Sequence, residues 1–472
     1  MADVRALVKG EFEDSTDVVV LGAGAAGIAA AIAAARSGAR TTLVEAGSLP
    51  GGELISGMAV DGALNARGEW ILGGVGRELF RECEDAGGFV AALNDFRLIW
   101  YVCIDPEVMK LAVVRCLARA GVRLLLHTVA TGVEVEGRQV KAIHLLNKSG
   151  RTRLAARYFL DCSGDADLVR AAGGEVVQGG VYGELQPVSL MFKMSQVQTA
   201  PLLRFMIEHP EHFALGESEA IRQGRDDAAL AQAAVRQGQP TVFLKGDGPL
   251  LSGAISSGAM YPTALIMIQP TAPQRGEVCL NTTRIGEIDG TRTEVLSGTV
   301  KPLVDQVLQC AQFMRANVPG FETAAYSGIS HRIGVRETRR IVGRETLLES
   351  DVLGARKRSD AVAKGSHHVD IHQSGAGQIR IPVAGGGSYD IPWGCLLPPA
   401  LDNLAAAGRI ISSDRGANGS ARVMGPCLGM GHAVGAACGL AMASGQADLA
   451  KVPVEALRAR LLSEGAILNG TH

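Results

Sequence analysis

The chain has 472 residues, 47% of them hydrophobic, and a net charge of -2. It is long enough for two or three domains with large cores, and it carries no general attraction for nucleic acid or an anionic membrane surface. Nine cysteines occur, none as C-x-x-C or in a zinc-like cluster, which predicts reduced core residues, a cytoplasmic location and no metal site.

In chain order, residues 1–15 are polar, lack the apolar stretch of a signal peptide and read as a loose arm. Val18-Val19-Val20-Leu21 then runs into Gly22-Ala23-Gly24-Ala25-Ala26-Gly27, an Ala-rich helix to Arg36, and a second strand ending at Glu45. In such a G-x-G-x-x-G the first glycine makes the turn and the second admits a pyrophosphate. The third lets helix and strand pack, and the helix N-terminus faces the phosphate charge. Glu45 stands where a carboxylate accepts hydrogen bonds from a ribose diol. Together these features predict a dinucleotide site, against the alternative of a tight strand–helix turn with no ligand.

The glycine-rich loop after Glu45 carries Ala46, Gly51, Gly52, Glu53, Ser56 and Gly57, and is placed to return beneath the cofactor. Residues 69–87 show helical spacing through Leu72, Val75, Leu79 and Phe80. Asp105-Pro106 reads as an N-cap followed by proline at the first helical position. Strands are predicted over 122–127, 132–136 and 139–146, the last two split by a Gly137-Arg138 turn. Another strand, 157–162, ends in Ser163-Gly164-Asp165, a small-residue turn suited to a phosphate or ribityl group.

The middle, 185–390, differs in texture. Strand-like runs at 188–194, 264–268 and 278–281 alternate with polar helices, and 209–258 reads as a variable cap or loop. The end turns cofactor-like again, with a short strand over 404–411, a turn-rich segment and a Gly/Ala helix from Leu428. The apolar segments 24–35 and 427–444 read as buried helices, not membrane spans. The expected fold is α/β, a Rossmann-like dinucleotide-binding domain built from both chain ends (16–184 and 391–472) with an inserted α+β substrate domain (185–390).

FAD is chosen over NAD by a resemblance. The blocks HRIGVRETRRIVG at 331–343, VDIH at 369–372, YDIPWGCLLP at 389–398, DNL at 402–404 running into AGR at 407–409, and SARVM at 420–424 are together similar to one family. They resemble bacterial FAD-dependent oxidoreductases related to the flavoproteins of succinate dehydrogenase and fumarate reductase and, more loosely, the glutathione-reductase-like flavoproteins. The resemblance implies FAD with its ADP half at Gly22, Gly24, Ala25, Ala26, Gly27 and Glu45, and an adenine contact near Ala130. It implies pyrophosphate or ribityl contacts at Gly51, Gly52, Ser56, Ser163, Gly164 and Asp165, with Gly408 nearby and Asp414 on the ribitol. Arg422, Val423, Met424, Leu428 and Gly429 would run along the isoalloxazine, with a helix N-terminus near Leu428 facing the flavin N1/O2 locus. Two departures stand out. The loop 46–62 has no histidine, so FAD is expected to be non-covalent. Asp414-Arg415-Gly416 and His432 stand where the commoner family form has His-Glu-Ala and Gln.

No second glycine-turn unit occurs, so a dedicated NAD(P)H domain is not expected. The absence of C-x-x-C argues against a disulfide relay. What remains is hydride transfer between a small polar organic substrate and flavin N5, with oxygen, a quinone or a carrier protein as electron acceptor. The reverse reduction of an activated alkene is also open. His372 is the candidate base, with His368 and His367 beside it; each is alternatively a structural loop histidine. Arg336 and Arg340, four apart in an apparent helix, either hold an anionic substrate or fix a domain joint with Glu337. Arg415 and Arg422 either stabilise flavin or substrate charge or brace loops. His432, Cys427, Tyr389 and Trp393 read as packing or pocket wall. Rival readings are a thiazole-synthase-like enzyme and a flavin-binding electron-transfer subunit without substrate chemistry. No transmembrane segment is expected, and a homo-oligomer is compatible with the sequence.

Overall fold

Parallel strand pairing brings the two ends of the chain together. The computed structural model describes residues 10–373 and 375–470. Its central sheet has the strand order Leu404–Ala406, Tyr158–Asp161, Val18–Leu21, Thr41–Val44, Arg123–Leu125, and every pairing is parallel. The first four strands are buried along their whole length, as β-branched and apolar runs covered on both faces must be. Leu21, Asp161 and Ala406 therefore end side by side at the carboxyl edge of the sheet, where ligands bind in open α/β sheets.

Helix Ala25–Arg36 lies against helix Met424–Ala443. A Cβ on Gly431 would stand 2.0 Å from the Ala26 carbonyl oxygen, and one on Gly435 would stand 2.3 Å from that of Ala30. Glycine is thus what lets the two backbones touch. Met424–Ala443 is long and apolar enough to cross a membrane by length and composition, yet 78% of its apolar window is buried within the protein. It begins at Met424, one turn before the expected Leu428, because Pro426 is tolerated in a first turn.

Residues Glu11–Ser15 are not a loose arm. They form a strand pairing in parallel with Gly150–Ala155, which joins an antiparallel sheet with Val129–Glu136 and Gln139–Asn147. Residues 1–9 lie outside the described residues. The expected cap of Asp105 is present: its carboxylate accepts from Glu107 N at 2.9 Å.

A second, antiparallel sheet has the order Val242–Lys245, Leu265–Ala272, Glu277–Asn281, Phe192–Ser195, Ala325–Ile329. Its core gathers Phe192, Leu230, Ile266, Leu280, Met314 and Phe321. The segment 209–258 is more ordered than expected, with helices Glu219–Arg222, Asp227–Gln237 and Pro249–Ser256. Asp226 caps the second of these by accepting from Ala229 N, and Leu230, Ala231 and Ala234 bury one face. The 331–343 block is not helical. Arg339–Ile341 is a buried strand pairing antiparallel with Val176–Gln178, because Arg339 and Arg340 find acceptors at Asp167 and Glu337. Leu347, Val362, Tyr389 and Leu396, placed by sequence near or within the inserted domain, join the core around the first sheet.

Candidate functional site

The glycine turn opens a cleft. Gly22 has φ +95°, and a Cβ there would meet the Cys162 carbonyl at 2.4 Å; one on Gly27 would stand 1.8 Å from the Gly22 oxygen. Gly24 differs, for its Cβ position meets no atom within 4 Å and faces open space. Gly51 N donates to the Ala23 carbonyl at 2.8 Å, drawing the glycine-rich loop beneath the turn. Glu45 accepts from Ala23 N at 2.8 Å through Oε2 and from Gly47 N at 2.7 Å through Oε1.

The cavity measures about 900 Å³. Of the residues predicted to hold the cofactor, Gly22, Gly24, Ala25, Ala26, Glu45, Ala46, Gly52 and Glu53 line one end. Ala130 lines it too, and Ser163, Gly164, Asp165, Gly408, Arg422 and Met424 carry it onward. First-turn N–H groups of Ala25, Ala26 and Gly27 have no acceptor within their own helix. Arg409 and Arg422 each carry an Nε without a hydrogen-bond partner among the described residues. A cavity of this size with a helix N-terminus, the Glu45 carboxylate and unpartnered guanidinium donors in its lining fits FAD.

Other predicted residues shape the cleft without lining it. Gly27 and Gly51 act in the turn itself. Ser56 turns its Oγ back onto the Glu53 carbonyl at 2.7 Å, and Gly57 faces Cys279. Val423 is the N-cap of the long helix, Leu428 is fully buried within it, and Gly429 faces Ala363. Asp414 is corrected. Its carboxylate accepts from Ala417 N and Glu349 N, both at 2.8 Å, so it caps helix Arg415–Ala421 instead of facing the cleft.

Arg422 links the cleft to a buried polar group behind it. It lines the cleft, and its Nη2 lies 3.4 Å from Asp370 Oδ2. Asp370 Oδ2 lies 2.9 Å from His372 Nε2, and Gln378 Nε2 donates to Asp370 Oδ1 at 2.5 Å. The side chains of His372, Arg422 and Asp370 keep 16, 12 and 11% of their surface accessible. Burial, against the pull of Asp370, holds His372 below its ordinary range and neutral at pH 7. Asp370 is held well below the carboxylate range, because His372 and Arg422 outweigh the cost of its burial.

The remaining predicted residues separate by their partners. Arg336 donates to the Pro187 carbonyl and to Ser189 Oγ. Burial and the neighbouring Arg422 push it down to about 9. Arg415 pairs with Glu184 at 2.9 Å and Glu337 at 3.3 Å, and Arg340 pairs with Glu337 at 3.0 Å, so both brace the joint. His368 is 6% exposed and its ring stacks on His367 with centroids 4.0 Å apart. His432 lies 2.6 Å from Glu464. Burial pushes the Cys427 thiol up to about 12, so it is a packing residue on the cleft wall. Separately, exposed His209 and Glu211 and the half-buried His212 bring three ligand atoms within 4.8 Å of one another.

Three functional candidates escaped the sequence. Arg409 pairs with Asp165 at 2.9 Å on the cleft wall, and its block, AGR, was the available signal. Asp370 sits two residues before His372, the spacing that places both on one face of a strand. Asp61 sits in a two-residue strand with no motif around it.

A family model described as FAD dependent oxidoreductase matches residues 17–461. The chain belongs to this family. The enzyme therefore uses FAD, in agreement with the cleft. Among curated proteins, a stretch of 47 residues is 57% identical to sarcosine oxidase subunit alpha of Rhizobium meliloti, covering 10% of this chain and 5% of that protein. A stretch of 38 residues is 66% identical to hydroxyneurosporene desaturase of Rhodobacter capsulatus, 8% of each. The chain thus spans less than a tenth of these curated relatives. Among solved structures, a geranylgeranyl bacteriochlorophyll reductase-like protein of Thermoplasma acidophilum is similar over 96% of this chain and 85% of its own, with 12% identity and a TM-score of 0.44. Anhydrotetracycline hydroxylase OxyS of Streptomyces rimosus is similar over 95% and 66%, with 11% identity and a TM-score of 0.43.

Proposed function

We propose that this FAD-dependent oxidoreductase is a dehydrogenase or oxidase that takes a hydride from a small polar organic molecule held in the cleft beside Arg422. When bound, FAD supplies the two-electron acceptor at N5 of its ring. The observation that carries the reading is the Asp370–His372 pair, joined to the cleft wall through Arg422. The Asp370 carboxylate accepts at 2.9 Å from Nε2, which fixes the proton there and leaves Nδ1 as a lone pair. A neutral imidazole so oriented accepts a substrate proton as the hydride leaves. Arg422 holds positive charge between the cleft and the pair, where negative charge develops.

Along the cleft, the first-turn N–H groups of Ala25, Ala26 and Gly27 would hold the pyrophosphate, Glu45 would hold the adenosine ribose, and Arg409 and Arg422 would supply the unmatched donors further on. FAD is held non-covalently, since no histidine occurs in 46–62. His331, which also lines the cleft, lies near Glu53 and Glu45 at the ADP end. The blocks at 331–343, 389–398 and 420–424 support kinship with succinate dehydrogenase and fumarate reductase flavoproteins. The electrons pass on to oxygen, a quinone or a carrier protein.

The His372→Ala variant tests the role of the pair. It should keep its flavin and lose about 10²- to 10⁴-fold in turnover, the usual contribution of a general base. Asp370→Asn should also lose turnover, because the amide no longer enforces the tautomer. Unchanged turnover in His372→Ala removes the residue from the mechanism.

A further inference from the structure

Just after strand Ala325–Ile329 the chain bulges into the FAD cleft. Ser330 N donates to the Met191 carbonyl at 2.7 Å, and Gly334 and Ser189 exchange two backbone hydrogen bonds, of 2.7 and 3.0 Å. His331, Arg332 and Ile333 therefore stand opposite Leu190 alone, and all three line the cleft. A bulge of this kind re-aims side chains that a regular strand would alternate between two faces.

The bulge carries Arg332 to the glycine turn. A Cβ on Gly52 would stand 2.8 Å from Gly24 Cα and 3.9 Å from Arg332 Nη1. The Gly24 Cβ position itself has no atom within 4 Å, so the turn and the guanidinium border the same open stretch of the cleft. Other charges there are closely matched. Glu45 accepts from two backbone N–H groups, and Asp165 pairs with Arg409 at 2.9 Å and accepts from Thr338 Oγ1 at 2.7 Å. The Arg332 guanidinium makes no hydrogen bond among the described residues. Its Nε lies 3.6 Å from Glu53 Oε1, outside hydrogen-bond reach, with 40 and 31% of the two side chains exposed. An exposed pair this loose contributes little to holding either group in place.

We propose that Arg332 is a ligand of the FAD pyrophosphate, supplied by the bulge, and that Glu53 competes with the cofactor for it. This rests on the placement of the ADP end at the glycine turn given above and holds whatever the substrate is. Each phosphate carries negative charge and oxygens that match the guanidinium fork, so the loose pair with Glu53 gives way to shorter charge-assisted hydrogen bonds. The helix N-terminus alone supplies about half a positive charge, less than the pyrophosphate brings in negative charge. The Glu53 carboxylate offers the pyrophosphate only like charge.

The test measures free flavin in ultrafiltrates of the purified holoenzyme over a dilution series, which gives the FAD dissociation constant without any substrate. Arg332→Gln should raise that constant about 10- to 100-fold, the loss expected for hydrogen bonds to a charged group, and Arg332→Lys should recover part of it. Glu53→Gln should hold FAD at least as tightly as the parent, because the competing carboxylate is gone. If Arg332→Gln purifies without flavin, FAD titration of the double variant decides: Glu53→Gln should regain part of the affinity in that background. The assignment is overturned if Arg332→Gln keeps the parent's constant. It is also overturned if Glu53→Gln loses FAD as Arg332→Gln does, or if the double variant gains nothing, since the pair is then only a strut. Gly24→Val, whose side chain fills the open space at the turn, separates the two readings. Flavin kept by Gly24→Val would place the ADP end elsewhere and remove both. Flavin lost by Gly24→Val and held at the parent's constant by Arg332→Gln would keep the placement and remove Arg332 alone.

Discussion

Asp61 gives the clearest case of a single residue whose environment sets its chemistry. Its carboxyl keeps a proton up to about pH 8 in the fold, while an unfolded carboxyl releases it near 3.9. The folded state therefore binds more protons across that window, and the contribution of Asp61 to stability is lost as pH rises from about 4 to about 8. Asp61→Asn cannot ionise. Its melting temperature relative to the parent should be higher at pH 8 than at pH 5, and parallel curves would show that the carboxyl is not buried in its neutral form. Sequence could not reveal this residue, because its pKa depends on burial and on Asp95, Asp370 and Arg422, the last two some 300 or more positions away. Asp414 teaches the converse. A family position suggested a ribitol contact, but a carboxylate three residues before a free first-turn N–H is also an N-cap, and here the cap wins at 2.8 Å to Ala417 N.

The elements that matter most are the two helices meeting through glycine. Gly431→Ala would drive a methyl into the Ala26 carbonyl, where the Cβ has only 2.0 Å. We expect a cost of about 1–3 kcal/mol, as for other overpacked contacts, together with weakened FAD retention, because Ala26 lines the cleft. Gly253→Ala, in an exposed helix position with no atom within 4 Å, should instead stabilise by about 0.5–1 kcal/mol. Thermal melts of both variants distinguish close helix contact from a general glycine effect; equal shifts would contradict the contact. The strand–glycine–helix–strand unit was legible because each part has a local signature. The 331–343 block misled, since its Arg-Glu spacing suits a helix as well as the extended segment and strand observed. Long-range ion pairs of Arg339 with Asp167 and of Glu337 with Arg415 decide its form, and no local pattern records them.

For the whole molecule, the sheet order brings strands 18–21 and 404–406 to one carboxyl edge. The pairing of two chain ends was legible from cofactor-like texture at both. The Asp370–His372–Arg422 contact was not, because its residues come from separated segments that only the fold assembles. Non-covalent attachment is a property at this scale too: acid precipitation of the purified protein should release all its flavin into the supernatant, and flavin kept in the pellet would contradict it. The central claim is that a substrate in the cleft reduces the bound cofactor. Mixing the anaerobic holoenzyme with alcohols, polyols, hydroxy acids and amines, and recording flavin absorbance, tests it directly. At least one compound should bleach the flavin in the parent protein and do so far more slowly in His372→Ala; a flavin that no compound bleaches, or that bleaches equally fast in both, would contradict the account.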